Sequence, residues 1–371
     1  MLLPTALPSI YDLSYADLEA QLAAWGQPRY RATQIWQGLY HSLAAAPEAI
    51  PSLPAALRQQ LGAAYAFTRL TRVVEARSTD GQTRKYLYNL PDNRQIEAVL
   101  MGYDKRRTTC ISTQAGCAMG CVFCATGQMG FRRHLTAGEI VEQVIGFARE
   151  LRAQDDHLTN IVVMGMGEPF HNYDATLAAV DRLNDPRGFN FGARRITIST
   201  VGLVPMIERF AAEQRQVNLA VSLHAATDDL RTELLPINKR YPLAALFQAV
   251  RGYYAVTHRR VTFEWALIQG KNDTPEQAAE LARLAGDLPC HVNVIPLNPT
   301  DDYAGQAATR ERAAAFKEEL ERRHITCTIR VRRGIDINAG CGQLAVHETR
   351  TAPDLNQLLT PPPASTLPPL H

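Results

Sequence analysis

The residues with the most chemistry in this chain are three cysteines, Cys117-Ala-Met-Gly-Cys121-Val-Phe-Cys124, spaced as CxxxCxxC. Three thiolates on one short loop can bind three irons of a 4Fe-4S cluster and leave the fourth iron open to substrate. A structural zinc loop is the competing reading. It wants a fourth local ligand, commonly in a second CxxC pair, and the sequence has no such pair at zinc-ribbon spacing. Cys110 lies seven residues before the loop. Cys341 stands far downstream in Gly334-Ile-Asp-Ile-Asn-Ala-Gly-Cys341-Gly-Gln-Leu, where flanking glycines imply a closely approached turn. Alone, each of these two would be a buried inert thiol more often than a nucleophile. Cys290 and Cys327 match no motif and read as core residues. His171, His258, His291 and His324 have no metal-like spacing and read as structural.

The elements that must position these groups follow from the pattern between residues 108 and 333. TTCIST, NIVVMGM, RITIST, VNLAVSLH, VTFEWALI and HVNVIPL are strand candidates separated by helical stretches. One such stretch begins at the capping pair Thr136 and Glu139. Six βα repeats argue for a parallel sheet, and about 225 residues suits a barrel or partial barrel, with a doubly wound sheet as the alternative. In βα barrels, functional residues stand at the C-terminal strand ends. Those ends carry Gly167-Glu168-Pro169, Ser199-Thr200, Ser222-Leu223-His224 and Asn298-Pro299. The competing reading for Glu168, Ser199 and Ser222 is that they cap the following helices.

Ahead of this array, residues 1–67 read as a small helical domain. Its signals are a capping pair at Ser14 and Asp17, a stop at Gly26, a helix near Tyr30 to Tyr40 and a helix after Pro54. Residues 68–102 hold alternating runs around Asp80-Gly81 and Asp92-Asn93, which predicts a hairpin-rich linker. The core with its cysteine segment spans 103–345. The segment 351–371 carries six prolines and is expected to be disordered.

Composition narrows the class. The chain has 371 residues, 46% apolar and 20% charged, which excludes a disordered protein. Its net charge is +2, so nucleic-acid binding cannot be argued from overall charge. Arginines outnumber lysines 34 to five, which codon bias explains as readily as phosphate recognition. Local clusters do occur, at 105–107, 132–133, 194–195, 258–260 and 330–333, and each could equally be solvated surface charge. The helical front domain is a candidate clamp for a substrate, or a purely structural lid. No apolar run has membrane length, and no basic region marks a signal peptide. Seven cysteines without an export signal argue against a disulfide framework and for the cytoplasm.

CxxxCxxC directly after the first strand of a βα array resembles the radical S-adenosylmethionine (SAM) superfamily. The resemblance implies a partial (β/α)6 TIM-like barrel. It implies that SAM chelates the open iron and that one electron cleaves it to a 5′-deoxyadenosyl radical. Gly167 and Glu168 would meet the SAM ammonium. Ser199, Ser222, Leu223, His224 and Asn298 would hold its carboxylate, ribose and adenine. Phe123 would pack near the cluster.

Together with Cys110 and Cys341, the motifs GMGEP, SLHA and GIDINAGCGQL closely resemble the adenine-C2 RNA methyltransferases, over all but the tail. That resemblance implies two SAM per turnover. Cys341 takes a methyl from the first, and the second supplies the radical that activates the S-methyl group for addition to C2 of adenine. Cys110 then resolves the RNA–protein adduct, leaving a transient Cys110–Cys341 disulfide. The substrates implied are adenosine 2503 of 23S rRNA and adenosine 37 of tRNA. Glu97 matches the family's proton acceptor, although the residue alone could equally face solvent. A flavodoxin-type electron donor and a monomer without membrane contact complete the expectation. Three alternatives remain open: a C8-methylating enzyme of the antibiotic-resistance type, another radical SAM activity such as glycyl-radical activation, and a zinc-stabilised RNA-binding module without catalysis.

Overall fold

The computed structural model describes residues 7–346. The proline-rich segment 351–371 lies outside the described residues. The chain opens with helices α1 (Tyr15–Ala24), α2 (Tyr30–Tyr40) and α3 (Ala55–Ala64). Ser14 and Asp17 form a complete capping box at α1. The Trp36, Leu39 and Tyr40 side of α2 is buried.

Strands β1 (Thr71–Arg77), β2 (Thr83–Asn89) and β3 (Gln95–Tyr103) follow as an antiparallel meander. They lead into β4 (Arg106–Cys110). A short antiparallel pair, β5 (Gln114–Gly116) and β6 (Phe131–His134), brackets the cysteine loop and a one-turn helix, α4 (Ala125–Gln128). Helix and strand then alternate: α5 (Ala137–Arg152), β7 (Asn160–Val163), α6 (Tyr173–Asn184), β8 (Ile196–Thr200), α7 (Val204–Ala212) and β9 (Asn218–Ser222). The array continues with α8 (Asp228–Leu234), α9 (Leu243–Thr257), β10 (Val261–Leu267), α10 (Pro275–Ala285), β11 (Cys290–Pro296), α11 (Arg310–Arg322) and β12 (Thr326–Ile329). Thr136 caps α5 with Glu139 as the sequence predicts.

Ten strands form one sheet in the order β1-β2-β3-β4-β7-β8-β9-β10-β11-β12. From β4 to β12 every pairing is parallel. All six expected strands are present, and the open parallel array is the partial barrel. A seventh parallel strand, β12, was not foreseen. It is four residues long with only Cys327 buried, so it lacks an apolar signature.

Residues 68–102 are more than a linker. β3 pairs antiparallel with β4, from Val99 opposite Cys110 to Tyr103 opposite Arg106. The buried residues Ile96, Ala98, Val99 and Leu100 join the main core, and Tyr86 stacks on Phe147 of α5. The helical front docks on the same layer. Ser9 donates to Glu142 of α5, and the Arg69 and Leu70 amides donate to its other carboxylate oxygen. Arg149 donates to the Leu43 and Ala44 carbonyls, and Arg182 to those of Asp12 and Leu13. Among the described residues, no helix is long and apolar enough to cross a membrane.

Candidate active site

The C-terminal strand ends open into a cavity of about 160 Å³. Cys117, Cys121 and Cys124 form one wall. Gly167, Glu168, Ser199, Ser222, His224 and Asn298, all singled out from strand ends, form the opposite rim. The cysteine loop is pinned at both ends: the Cys117 amide donates to the Gly130 carbonyl and the Val122 amide to the Leu234 carbonyl of α8. Phe123, between two of the cysteines, packs edge-on against the His224 ring at 4.9 Å.

Each rim residue has a defined state. Glu168 accepts from the Phe170 amide (2.9 Å) and the Val201 amide (2.8 Å), which fixes its carboxylate across two strand ends. Burial pushes that carboxyl up to about 7. The neighbouring Gly167 lies at φ +103°, and a Cβ there would stand 2.6 Å from Cβ of Gln114. His224 accepts at Nδ1 from the Ala266 amide (2.9 Å). Burial lowers it to about 3, so it is neutral with its proton on Nε2, a donor rather than a charge. The Ser199 and Ser222 hydroxyls are 3.3 Å apart. Asn298 donates to the Cys341 carbonyl (3.0 Å), while its Oδ1 is buried with no partner among the described residues.

These residues fit a 4Fe-4S cluster with SAM. Burial pushes the Cys117 thiol up to about 12 and raises Cys121 and Cys124 as well. Such thiols ionise when a metal supplies the opposing charge. Among the described residues, no three His, Cys, Asp or Glu side chains converge as a single ion requires. A cluster asks for a wider spread, because each thiolate reaches a different iron. The orphaned Asn298 acceptor and the Nε2 proton of His224 are the complements a polar nucleoside-bearing ligand needs.

Glu264 was missed by sequence reasoning. It projects into the same cavity from β10, buried and raised by burial, with its carboxylate accepting from Asn293 (2.7 Å). The available signal was one acidic residue inside the apolar run VTFEWALI.

A second cavity lies alongside, lined by Cys110, Met101, Tyr103, Arg330 and Arg333. Cys341 borders both cavities. Its sulfur accepts from Arg330 at 3.7 Å. Cys110 lies deeper in the wall of the same cavity than solvent-exposed Cys341. Burial, reinforced by nearby Cys341, pushes it up to about 12, so it stays protonated. The pair shares a cavity as free thiols, so the disulfide implied by the resemblance is not present.

The loop carrying Cys341 is fastened to both the cysteine loop and the meander. The Ala125 amide donates to the Gly342 carbonyl (2.8 Å), and Thr126 donates to that of Leu344. Lys85 donates to the Asn338 carbonyl (3.2 Å), and Glu97 accepts from the Ala345 amide (3.1 Å). Lys85 and Glu97 also pair at 2.8 Å. At Gly340 a Cβ would lie 2.6 Å from Nδ2 of Asn298, so a side chain there would displace the amide that holds the Cys341 carbonyl.

Two expected site residues stand elsewhere. Glu97 is buried but lines neither cavity, because its carboxylate is engaged by Lys85 and the Ala345 amide. Leu223 is fully buried and does not reach the cavity. Its amide donates to the Glu264 carbonyl and its own carbonyl accepts from Arg231. Cys290 and Cys327 are buried core residues, as read from the sequence. The basic clusters divide. Arg107 and Arg133 are held in ion pairs with Asp156 and with Glu139 and Asp92. Arg330, Arg332 and Arg333 line the second cavity.

Three cysteine thiols on one loop facing a rim of polar strand ends in an open parallel βα array define a radical SAM enzyme. Residues 111–285 match the family model of the Radical SAM superfamily. A crystal structure of a radical SAM methyltransferase from Sphaerobacter thermophilus superposes with a TM-score of 0.89 at 53% identity, covering 91% of this chain and 99% of that one. The RlmN protein of Roseiflexus castenholzii is 49% identical, over 91% of this chain and 96% of its own. The dual-specificity RNA methyltransferase RlmN 1 of Myxococcus xanthus is also 49% identical, over 91% and 94%. The chain belongs to the RlmN family of radical SAM methyltransferases.

Proposed function

We propose that this protein methylates C2 of adenosine in 23S rRNA, at adenosine 2503, and in tRNA, at adenosine 37. The single observation that carries the reading is the position of Cys341 on the boundary between two cavities, one with the cluster cysteines and SAM rim, the other with Cys110 and arginines. A bound 4Fe-4S cluster with SAM supplies one-electron cleavage of the sulfonium to a 5′-deoxyadenosyl radical. The chain's own residues do the rest. The thiol of Cys341, beside Arg330, accepts and carries the methyl group. The protonated thiol of Cys110 is held back from methylation and serves as the resolving group across the second cavity. Glu168, His224 and Asn298 orient SAM toward Cys341. Glu97 anchors the loop in this arrangement and serves as the proton acceptor. A flavodoxin-type reductant, a monomeric state and the cytoplasm belong to the same proposal.

The test is peptide mass spectrometry on anaerobically purified, iron-replete protein supplied with SAM, followed by nucleoside analysis of treated RNA. The expected results are S-methylated Cys341 and 2-methyladenosine. Cys341 left unmodified beside an intact cluster sinks the carrier role and moves the enzyme to another radical SAM class. Formation of 8-methyladenosine instead moves the chemistry to the C8 alternative.

A further inference from the structure

Beside the second cavity, one aromatic ring orders two cations from distant parts of the chain. The Arg106 guanidinium lies 4.1 Å from the centroid of the Tyr103 ring, and the Arg333 guanidinium 4.7 Å from it. Tyr103 ends β3, Arg106 begins β4 opposite it, and Arg333 follows β12. The ring and Arg333 both line the cavity that holds Cys110 and Cys341. The local charge is one-sided. Arg333 meets Asp80 only at 3.4 Å, and its Nε is buried with no partner among the described residues. Lys105, Arg106 and Arg332 make no ion pair among the described residues. Asp80 is the acidic partner of Arg333 among the described residues, and Asp336 accepts from the Thr79 amide.

We propose that Tyr103, Arg106 and Arg333 form a phosphate clamp that seats the RNA backbone beside the Cys110–Cys341 cavity. A guanidinium presents paired donors that match a phosphate, and stacking on a ring fixes their direction before RNA arrives. Backbone contacts of this kind set register, while the base enters the cavity below. SAM and RNA then reach Cys341 from different cavities. This inference rests on the RNA methyltransferase reading.

The experiment uses the full-length, cluster-loaded enzyme and a fluorescent, unmodified RNA hairpin with adenosine in its loop. Its Kd is measured between 50 and 200 mM salt. Arg106→Gln and Arg333→Gln are each expected to flatten the slope of log K against log salt by about 0.7 to 0.9, and to weaken binding about fivefold at 0.1 M salt. Tyr103→Leu is expected to weaken binding although it removes no charge, and Tyr103→Phe to retain it. Arg106 is exposed and carries no ion pair among the described residues, so its variant keeps the test sound if Arg333→Gln folds poorly. Slopes and affinities equal to wild type in Arg106→Gln overturn the clamp while leaving the enzyme an RNA methyltransferase. A wild-type enzyme that neither binds the hairpin nor methylates adenosine overturns both.

Discussion

Asn298 shows how one side chain couples two parts of the site. Its Nδ2 holds the Cys341 carbonyl, and its Oδ1 is left buried beside the cavity. Asn298→Ala removes both. Losing a buried hydrogen bond costs about 1–3 kcal/mol, so SAM affinity should fall roughly tenfold, within the range that cost implies. Equilibrium dialysis of SAM against cluster-loaded protein checks this, with iron content expected at the wild-type level. An affinity equal to wild type would mean that SAM makes no use of the orphaned acceptor. At this scale the sequence was informative wherever a polar residue ended an apolar strand, as Glu168, Ser199 and Asn298 do. It was less so inside a strand. Glu264 faces the cavity only because β10 presents that side of its pleat inward, and alternation cannot be read from a run apolar on both faces. Leu223 ends its strand in the same motif but stands off the cavity wall, with its amide on the Glu264 carbonyl and its carbonyl on Arg231.

The elements around the site work as clamps, and their partners are far apart in sequence. Glu97 in β3 holds the Ala345 amide and Lys85 of β2, and Lys85 in turn holds the Asn338 carbonyl. Glu97→Ala should loosen the Cys341 loop and leave the half-buried Lys85 without this carboxylate, at a cost of about 1–3 kcal/mol. The expected result is faster tryptic cleavage at Arg330–Arg333. Adding Lys85→Met should restore much of the melting temperature without restoring protection. If protection also returns, the loop is held by other contacts.

Glu142 makes the corresponding clamp between α5 and the front helices, accepting from Ser9, Arg69 and Leu70. Burial is the leading cause that raises its carboxyl above the usual 4.5. The folded state therefore keeps this proton to higher pH than the unfolded chain. Its contribution to stability is complete below pH 4.5 and is lost as pH rises through the folded value. Glu142→Gln removes that dependence, with the amide nitrogen turned to the Ser9 hydroxyl. Denaturant melts should show the variant gaining on wild type as pH rises from 4.5, and parallel curves would refute the assignment. None of these clamps was legible beforehand. Capping boxes at Ser14 and Thr136 join residues three apart and can be read directly. A carboxylate that reaches from residue 97 to residue 345 depends on the register of the whole sheet.

At the scale of the molecule, the division into a front domain, a linker and a core describes the sequence better than the packing. The meander continues the barrel sheet through β3 and β4, and Leu18, Trp36 and Tyr40 of the front helices belong to the same apolar core as Val144 and Phe147 of α5. The polar seam is equally shared, since Arg149 and Arg182 each donate two bonds to carbonyls of the front segment. Deleting residues 1–67 would therefore strip the cover from α5 and α6. It would leave Glu142, Arg149 and Arg182 without their partners in that segment, each a loss of about 1–3 kcal/mol. Native stabilities are only about 5–15 kcal/mol, so the truncated chain should not hold its tertiary structure. The intact protein should unfold in a single calorimetric transition, and the truncated protein should express insolubly or lack a near-ultraviolet circular dichroism signal. A well-folded, cluster-binding truncation would instead make the front segment an independent module, and the shared core would then be a docking surface rather than a condition of folding.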